Sequence, residues 1–199
     1  MSYEVDDILF TRLAAFDPVD VCTRTGCHYN ETDKVYSLRY WGDEYRVDCL
    51  NRCIKRRTSN DTEPHDYLPV FIVNYLMQAK KVPPSGEWIS EKDFPAGVTF
   101  FRGPHEIPTQ LLSSRFINDL ETFARVCEQL GGRRLDMADS SYAFMPHEHI
   151  SIAMLYWVGD EDFPAEAKLL FDKSISQSLA LDTVYAFAVD ACFRLSRQA

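Results

Sequence analysis

Three groups of side chains in this sequence have types and spacings that can do chemistry. Asp160, Glu161 and Asp162 are consecutive carboxylates between two apolar runs. Their oxygens suit a hard cation such as Mg²⁺ or Ca²⁺, but adjacent side chains point apart and the spacing matches no calcium loop. A solvated acidic turn is the favoured reading. His147 and His149 lie two residues apart. On a strand that spacing puts both imidazoles on one side, where they can ligate a transition metal or a cofactor's iron or cobalt. Pro146 before them and Glu148 between them suit an exposed loop entering a strand, and that plainer reading is preferred. Cys22, Cys27, Cys49 and Cys53 form the third group. Four thiolates can hold zinc or an iron–sulfur cluster, and His28 can join such a site. Neither cysteine pair has the usual C-x-x-C spacing, and Cys49 shares a strand face with Tyr45 and Val47. There a thiol serves as a small buried hydrophobe. Cys127 and Cys192 fall on apolar helix faces as core residues, and His65 and His105 read as solvated loop residues.

A pocket rim is a further candidate. Trp88 and Arg102 sit in loops around the same helices. With Asp160, Glu161 and Phe163 of the acidic loop, and with Asp172, they are the expected contacts for a flat or anionic cofactor. Asp172 is also placed to cap the turn that follows it. Pro164 biases Phe163 toward an extended backbone, which predicts a ring committed to the core. The chain contains no Gly-rich phosphate cradle, no Gly-x-Ser-x-Gly elbow and no His-Glu-x-x-His. The common signatures of a nucleotide enzyme, a serine hydrolase and a zinc protease are therefore missing.

The elements that must position these groups follow from hydrophobic period. Residues 1 to 33 read as a polar, irregular segment, with a short amphipathic helix around Ile8 to Phe16 that Pro18 ends, then a loop. Tyr36, Leu38 and Tyr40 alternate with polar residues, as do Tyr45, Val47 and Cys49. Gly42-Asp43 between them suits a type II′ turn, giving a hairpin near a sheet edge. Residues 55 to 66 read as a charged, turn-rich loop. Leu68, Phe71, Ile72, Tyr75, Leu76 and Ala79 keep a helical period that Pro83-Pro84 stops. Val98 to Phe101 reads as a short strand. Pro108 opens a second long helix carrying Leu112, Phe116, Leu120, Phe123, Cys127 and Leu130, ended by Gly131-Gly132. Tyr142 and Phe144 mark a short strand. From His149 to Val158 both faces are apolar, which predicts a central strand covered on two sides. Gly159 turns the chain, and Ala167 to Phe171 returns antiparallel. A last helix starts near Asp182 as N-cap, with Tyr185, Val189, Cys192 and Phe193 inward. The expected fold is a single α+β domain over 1–199. A mixed or antiparallel sheet, with its central strand near 149–158, packs on two or three long helices.

Totals bound the function. The 199 residues are 46% hydrophobic, enough for a core without disulfides or a structural metal. The net charge of −9 opposes nucleic acid and anionic lipid, and Lys55-Arg56-Arg57 reads as a solvated loop. No secretory leader and no run of about 20 apolar residues is seen, so a cytoplasmic protein with reduced thiols is expected.

Several segments together resemble a known family. They are Trp41-Gly42 in the Tyr-rich hairpin, Tyr75-Leu76-Met77-Gln78-Ala79, Pro84-Ser85-Gly86-Glu87-Trp88-Ile89 and Phe94-Pro95-Ala96-Gly97. Gly159-Asp160-Glu161-Asp162-Phe163-Pro164-Ala165 and Leu170-Phe171-Asp172 complete the set. From about Val35 to Leu195 the chain resembles the domain of unknown function 3786 family of anaerobic bacteria and archaea. Some of its members are joined to an iron–sulfur domain of the kind seen in corrinoid and electron-transfer proteins. The resemblance implies an accessory role in anaerobic corrinoid, one-carbon or electron-transfer metabolism. The expected function is thus a binding protein for a small-molecule cofactor or a partner protein. The alternative is a metal-dependent enzyme built on His147, His149 and nearby carboxylates.

Overall fold

The structure, a computed structural model, describes residues 6–57 and 66–198. The expectations for His65 and for the turn-rich stretch 58–65 lie outside the described residues. In chain order the elements are α1 (Asp7–Ala14), α2 (Pro18–Thr25), β1 (His28–Asn30), β2 (Val35–Tyr40), β3 (Asp43–Asp48), β4 (Cys53–Arg56) and α3 (Tyr67–Gln78). Then come β5 (Trp88–Ile89), α4 (Gly97–Phe100), α5 (Gln110–Phe116), α6 (Leu120–Gln129), β6 (Arg133–Arg134), β7 (Ser140–His147), β8 (Ile150–Trp157), β9 (Glu166–Asp172), α7 (Ile175–Ser178) and α8 (Leu181–Arg197). The fold is α+β, and both of its sheets are antiparallel.

The first sheet has the order β1-β2-β3-β4, so the hairpin supplies its two inner strands rather than an edge. Its connection is Trp41-Gly42, because Tyr40 pairs with Asp43. Both turn residues have positive φ, 50° and 80°. That is the type I′ pattern, one residue earlier than the turn expected from Gly42 alone. Tyr36, Leu38, Tyr40, Tyr45 and Val47 fill the inner face, as the alternation requires. The basic run at 55–57 is not a loop: Lys55 and Arg56 belong to β4.

The second sheet has the order β5-β9-β8-β7-β6, with β8 at its centre. Ile150, Ile152, Met154 and Tyr156 face the main core. Ala153 and Leu155 face a smaller cluster with Leu170, flanked by Trp88, Leu135, Met137 and Trp157. Both faces of β8 are therefore dry, and side chains from strands and loops cover the second one. Strand β9 returns antiparallel from Glu166, pairing Leu169 with Met154. The two sheets touch where the Trp41 amide donates to the Pro146 carbonyl at 2.8 Å. Pro146 lies within β7, at its irregularity between Phe144 and His147.

Several local expectations give way to tertiary contacts. Pro18 opens α2, where a missing N–H costs nothing, and Asp17 caps the helix by accepting from the Val19 amide at 3.0 Å. The described part of the segment 1–33, residues 6–33, therefore carries two helices and a strand. Residues 97–100 form a helical turn, not a strand. The long helix expected over 108–130 is two helices. Ile117 has φ of 50° between them, and its carbonyl accepts from the buried Tyr156 hydroxyl. Asp119 starts the second helix by accepting from the Thr122 amide at 2.9 Å.

Helix α8 has Ala180 at its N-cap, with Asp182 inside the first turn. Most of it is buried: Val189 and Cys192 face inward as expected, with Phe187, Ala188 and Ala191, while Tyr185 and Phe193 are only half-covered. It is tied to the first sheet by polar contacts. The Tyr40 hydroxyl donates to Asp190 at 2.8 Å, and Arg194 donates to the Tyr45 hydroxyl at 3.2 Å. Arg194 also lies over the Tyr40 and Trp41 rings at 5.6 and 5.7 Å. Low dielectric strengthens each of these contacts.

Candidate functional site

The outer face of the first sheet carries the most developed site. Its register aligns His28, Ser37, Arg46 and Lys55 in one row across the four strands. Arg39 stands opposite Glu44 in the next polar row. The right-handed twist of strands makes such a face concave across its diagonal. Gly26, His28, Asn30, Ser37, Arg39, Glu44, Arg46 and Arg57 line a groove there of about 540 Å³. Three arginines against one glutamate make it positive, in a chain whose net charge is −9. Arg57 is 3.0 Å from Glu44, and Arg46 is 3.6 Å from Asp33. Arg39 makes no ion pair among the described residues. Exposed pairs of this kind contribute about 0–1 kcal/mol each, so an incoming anion displaces them at little cost.

One end of the groove meets the thiols and imidazoles singled out in the sequence. Gly26, with φ of 68°, ends α2 and turns the chain into β1. Beyond it the Cys27 thiol lies 3.4 Å from the Cys22 sulfur. Cys22, Cys27, His28, Tyr29 and Glu31 border a second cavity of about 360 Å³, and His28 borders both cavities. Burial pushes the Cys27 thiol up to about 12. Behind Gly26 stands the β7–β8 hairpin. A Cβ on Gly26 would come within 2.0 Å of the Glu148 carboxylate.

His147 is buried in that hairpin. Its Nδ1 is 3.0 Å from the Tyr75 hydroxyl and accepts from the His149 amide at 3.3 Å. A backbone N–H can only donate, so the neutral ring carries its proton on Nε2. Burial first, and the neighbouring His149 second, hold its pKa down at about 4. With Nδ1 engaged and Nε2 protonated, this imidazole is a structural acceptor in the state seen. His149 is half-buried, its Nε2 3.4 Å from Glu148.

The carboxylates of the acidic loop lie elsewhere. His147 and His149 precede β8 and Asp160 follows it, so the length of the strand separates them. Eight residues at a strand's rise span roughly 25 Å. Asp160 is itself a turn cap, accepting from the Asp162 and Phe163 amides at 2.9 and 2.8 Å. Those hydrogen bonds, the one from Phe163 foremost, hold its pKa below the usual aspartate value. Asn118 clamps the turn by donating to the Gly159 carbonyl and accepting from its amide. The Phe163 ring is 71% exposed, contrary to its expected place in the core. Pro164 fixes backbone direction there, but the ring leaves on the outer side, beside exposed Ile117.

Asp172 and Trp88 pair at the opposite end of β9 from this loop. Asp172 is buried and accepts from the Ser85 amide and hydroxyl at 2.8 and 2.9 Å, from the Gly86 amide at 2.7 Å and from the Ser174 amide at 2.9 Å. It caps its own turn, as expected, and also anchors the Ser85–Gly86 segment. Burial alone would raise its pKa; the bonds from Ser174 and Ser85 outweigh that and hold it low. Trp88 packs on the small cluster behind β8. Arg102 is exposed in the loop after α4, and Glu161 is exposed in the acidic loop. The six residues expected around one rim are thus spread over both ends of the sheet.

Cys49 lies in the turn after β3, half-buried, and Cys53 pairs with Asp48 at the start of β4. Among the described residues, no three His, Cys, Asp or Glu side chains are grouped to hold a metal ion. No described helix is long and apolar enough to cross a membrane. Sequence reasoning missed the arginine groove. The polar alternation of Arg39, Glu44 and Arg46 was visible, but the flanking strands β1 and β4 that complete the face were read as loops.

These features define a two-sheet α+β protein with a cationic groove over its smaller sheet and a pair of adjacent thiols, Cys22 and Cys27, beside one end of it. Residues 17–194 match the family model described as Domain of unknown function (DUF3786), and the chain belongs to that family. No curated protein and no solved structure matches it.

Proposed function

We propose that this chain is a binding protein for a small anionic molecule, one carrying carboxylate or phosphate groups, held in the groove over β1–β4. The observation that carries this reading is the convergence of Arg39, Arg46 and Arg57 on one concave surface of an acidic protein. Guanidinium groups present planar, paired donors that match carboxylate and phosphate oxygens. Asn30 and Ser37 add neutral polar groups beside them, and His28 adds an imidazole. The groove volume falls within the range of small-molecule sites. An accessory, cofactor-holding role agrees with this chemistry.

The test is calorimetric titration of the full chain with pyrophosphate and with citrate as probes, at low and at moderate salt. Binding is expected, weakening as salt screens the charges. Arg39 is exposed, so Arg39→Gln is expected to keep the fold and to weaken binding about tenfold, equivalent to about 1.4 kcal/mol. No heat with either probe, or affinity unchanged in Arg39→Gln and Arg46→Gln alike, overturns the proposal.

A further inference from the structure

We propose that Cys22 and Cys27 are a dithiol site that forms a reversible intramolecular disulfide by exchange with a small-molecule disulfide. The turn at Gly26 brings the two cysteines together. Its positive φ ends α2, and its amide still donates to the Cys22 carbonyl at 2.9 Å. The next residue is thereby folded back onto the last helical turn. This is why two thiols five residues apart in sequence meet with sulfurs 3.4 Å apart. A disulfide bond needs about 2.05 Å, a difference within reach of side-chain rotation. All six cysteines are free thiols here, and Cys127 and Cys192 are fully buried.

The two sulfurs are not equivalent. Cys22 is half-buried and opens on the cavity lined by Pro18, Val19, His28 and Tyr29. Cys27 borders the same cavity but is more deeply buried, only 8% exposed. An incoming disulfide therefore meets Cys22 first. The Cys22 thiolate attacks one sulfur of R–S–S–R, forming a Cys22–S–S–R mixed disulfide and expelling R–S⁻, which takes up a proton. Cys27 then gives its proton to solvent, and its thiolate attacks the Cys22 sulfur, expelling the second R–S⁻. The two protein thiols are oxidised by two electrons, and R–S–S–R is reduced to two R–SH. Burial raises the Cys27 pKa, which keeps its thiolate scarce and slows this second step. The reaction requires no anion in the neighbouring groove, so it stands or falls separately from the proposed binding function.

The experiment incubates the reduced full-length protein with oxidised glutathione, then unfolds it in mild acid with excess N-ethylmaleimide present, so that buried thiols are blocked as they are exposed. Trypsin cuts after Arg24, between the two cysteines, so the bond appears as a linked pair of peptides, 13–24 with 25–34. The expected result is that linked pair, with no glutathione retained, and its loss on adding dithiothreitol. Cys27→Ser is expected to stop at one glutathione on Cys22, and Cys22→Ser to leave Cys27 unmodified. The wild-type peptide map decides the matter even if a variant folds poorly. Both cysteines blocked by maleimide, glutathione kept on each separately, or Cys22 linked to Cys49 or Cys53 instead, overturns the proposal.

Discussion

Asp172 gives the sharpest test of how the Ser85–Gly86 segment is held. Its carboxylate accepts four hydrogen bonds from three residues, and Oδ1 takes three of them. Hydrogen bonds to a charged group contribute about 1.5–3 kcal/mol each when considered singly. They are not additive here, because Ser85 and Gly86 are exposed and their donors rehydrate once released. The Ser174 amide stays in a buried residue and goes unsatisfied. Asp172→Ala should therefore cost about 4 kcal/mol, within the range for breaking a buried charged contact. Asp172→Asn keeps Oδ1 and its three donors but sets an NH₂ against the Gly86 amide. It should cost about 2–3 kcal/mol, one charged bond lost and the others weakened. Urea denaturation at pH 7, compared at equal slope, measures both. The pH dependence adds a second axis. The folded pKa lies below the ordinary 3.8, so the contribution is complete above that value and is lost as pH falls through the folded pKa. The gap between wild type and Asp172→Asn should thus close in acid. Variants within 1 kcal/mol of wild type at pH 7, or a gap that widens in acid, would refute the reasoning.

Three further outcomes follow from the same geometry. His147 is neutral and buried, with its pKa lowered from 6.5 to about 4. The unfolded chain binds that proton first, so this residue should remove about 3 kcal/mol of stability as pH falls from about 6.5 to about 4, and none above. An NMR titration of its ring protons with a midpoint near 6.5 would contradict this. Gly26→Ala sets a Cβ against Glu148 at positive φ. Adding Glu148→Ala should relieve the clash yet leave about 1–2 kcal/mol of backbone strain, and full recovery in chemical denaturation would show that strain to be absent. Gly159→Ala places a Cβ 2.5 Å from the Ala165 nitrogen, where only backbone can yield. A loss of about 2–4 kcal/mol is expected in thermal or urea unfolding, and a neutral result would mean that this turn readily moves.

Much of this protein follows from residue order alone. The period of Leu68 to Ala79 makes a helix, the alternation around Trp41-Gly42 makes a hairpin, and the doubly apolar run at Ile150 makes the central strand. Each pattern encodes which side of an element must leave water, and that is a local property of the chain. The family could also be recognised from its segments. Tertiary structure decided where local signals were weak or evenly balanced. The Tyr156 hydroxyl reaches Ile117 and accompanies a break in a helix that periodicity alone would continue. Strands β1 and β4, three and four residues long, are too short to show a period and form only against β2 and β3. Their addition turns an ordinary polar alternation into a groove of arginines. The sulfurs of Cys22 and Cys27 meet because Gly26 reverses the chain, and His147 is neutral because burial and the His149 amide favour an unprotonated Nδ1. Residue types make each chemistry available, while the distances and the degree of desolvation that select among them arise only when distant segments pack.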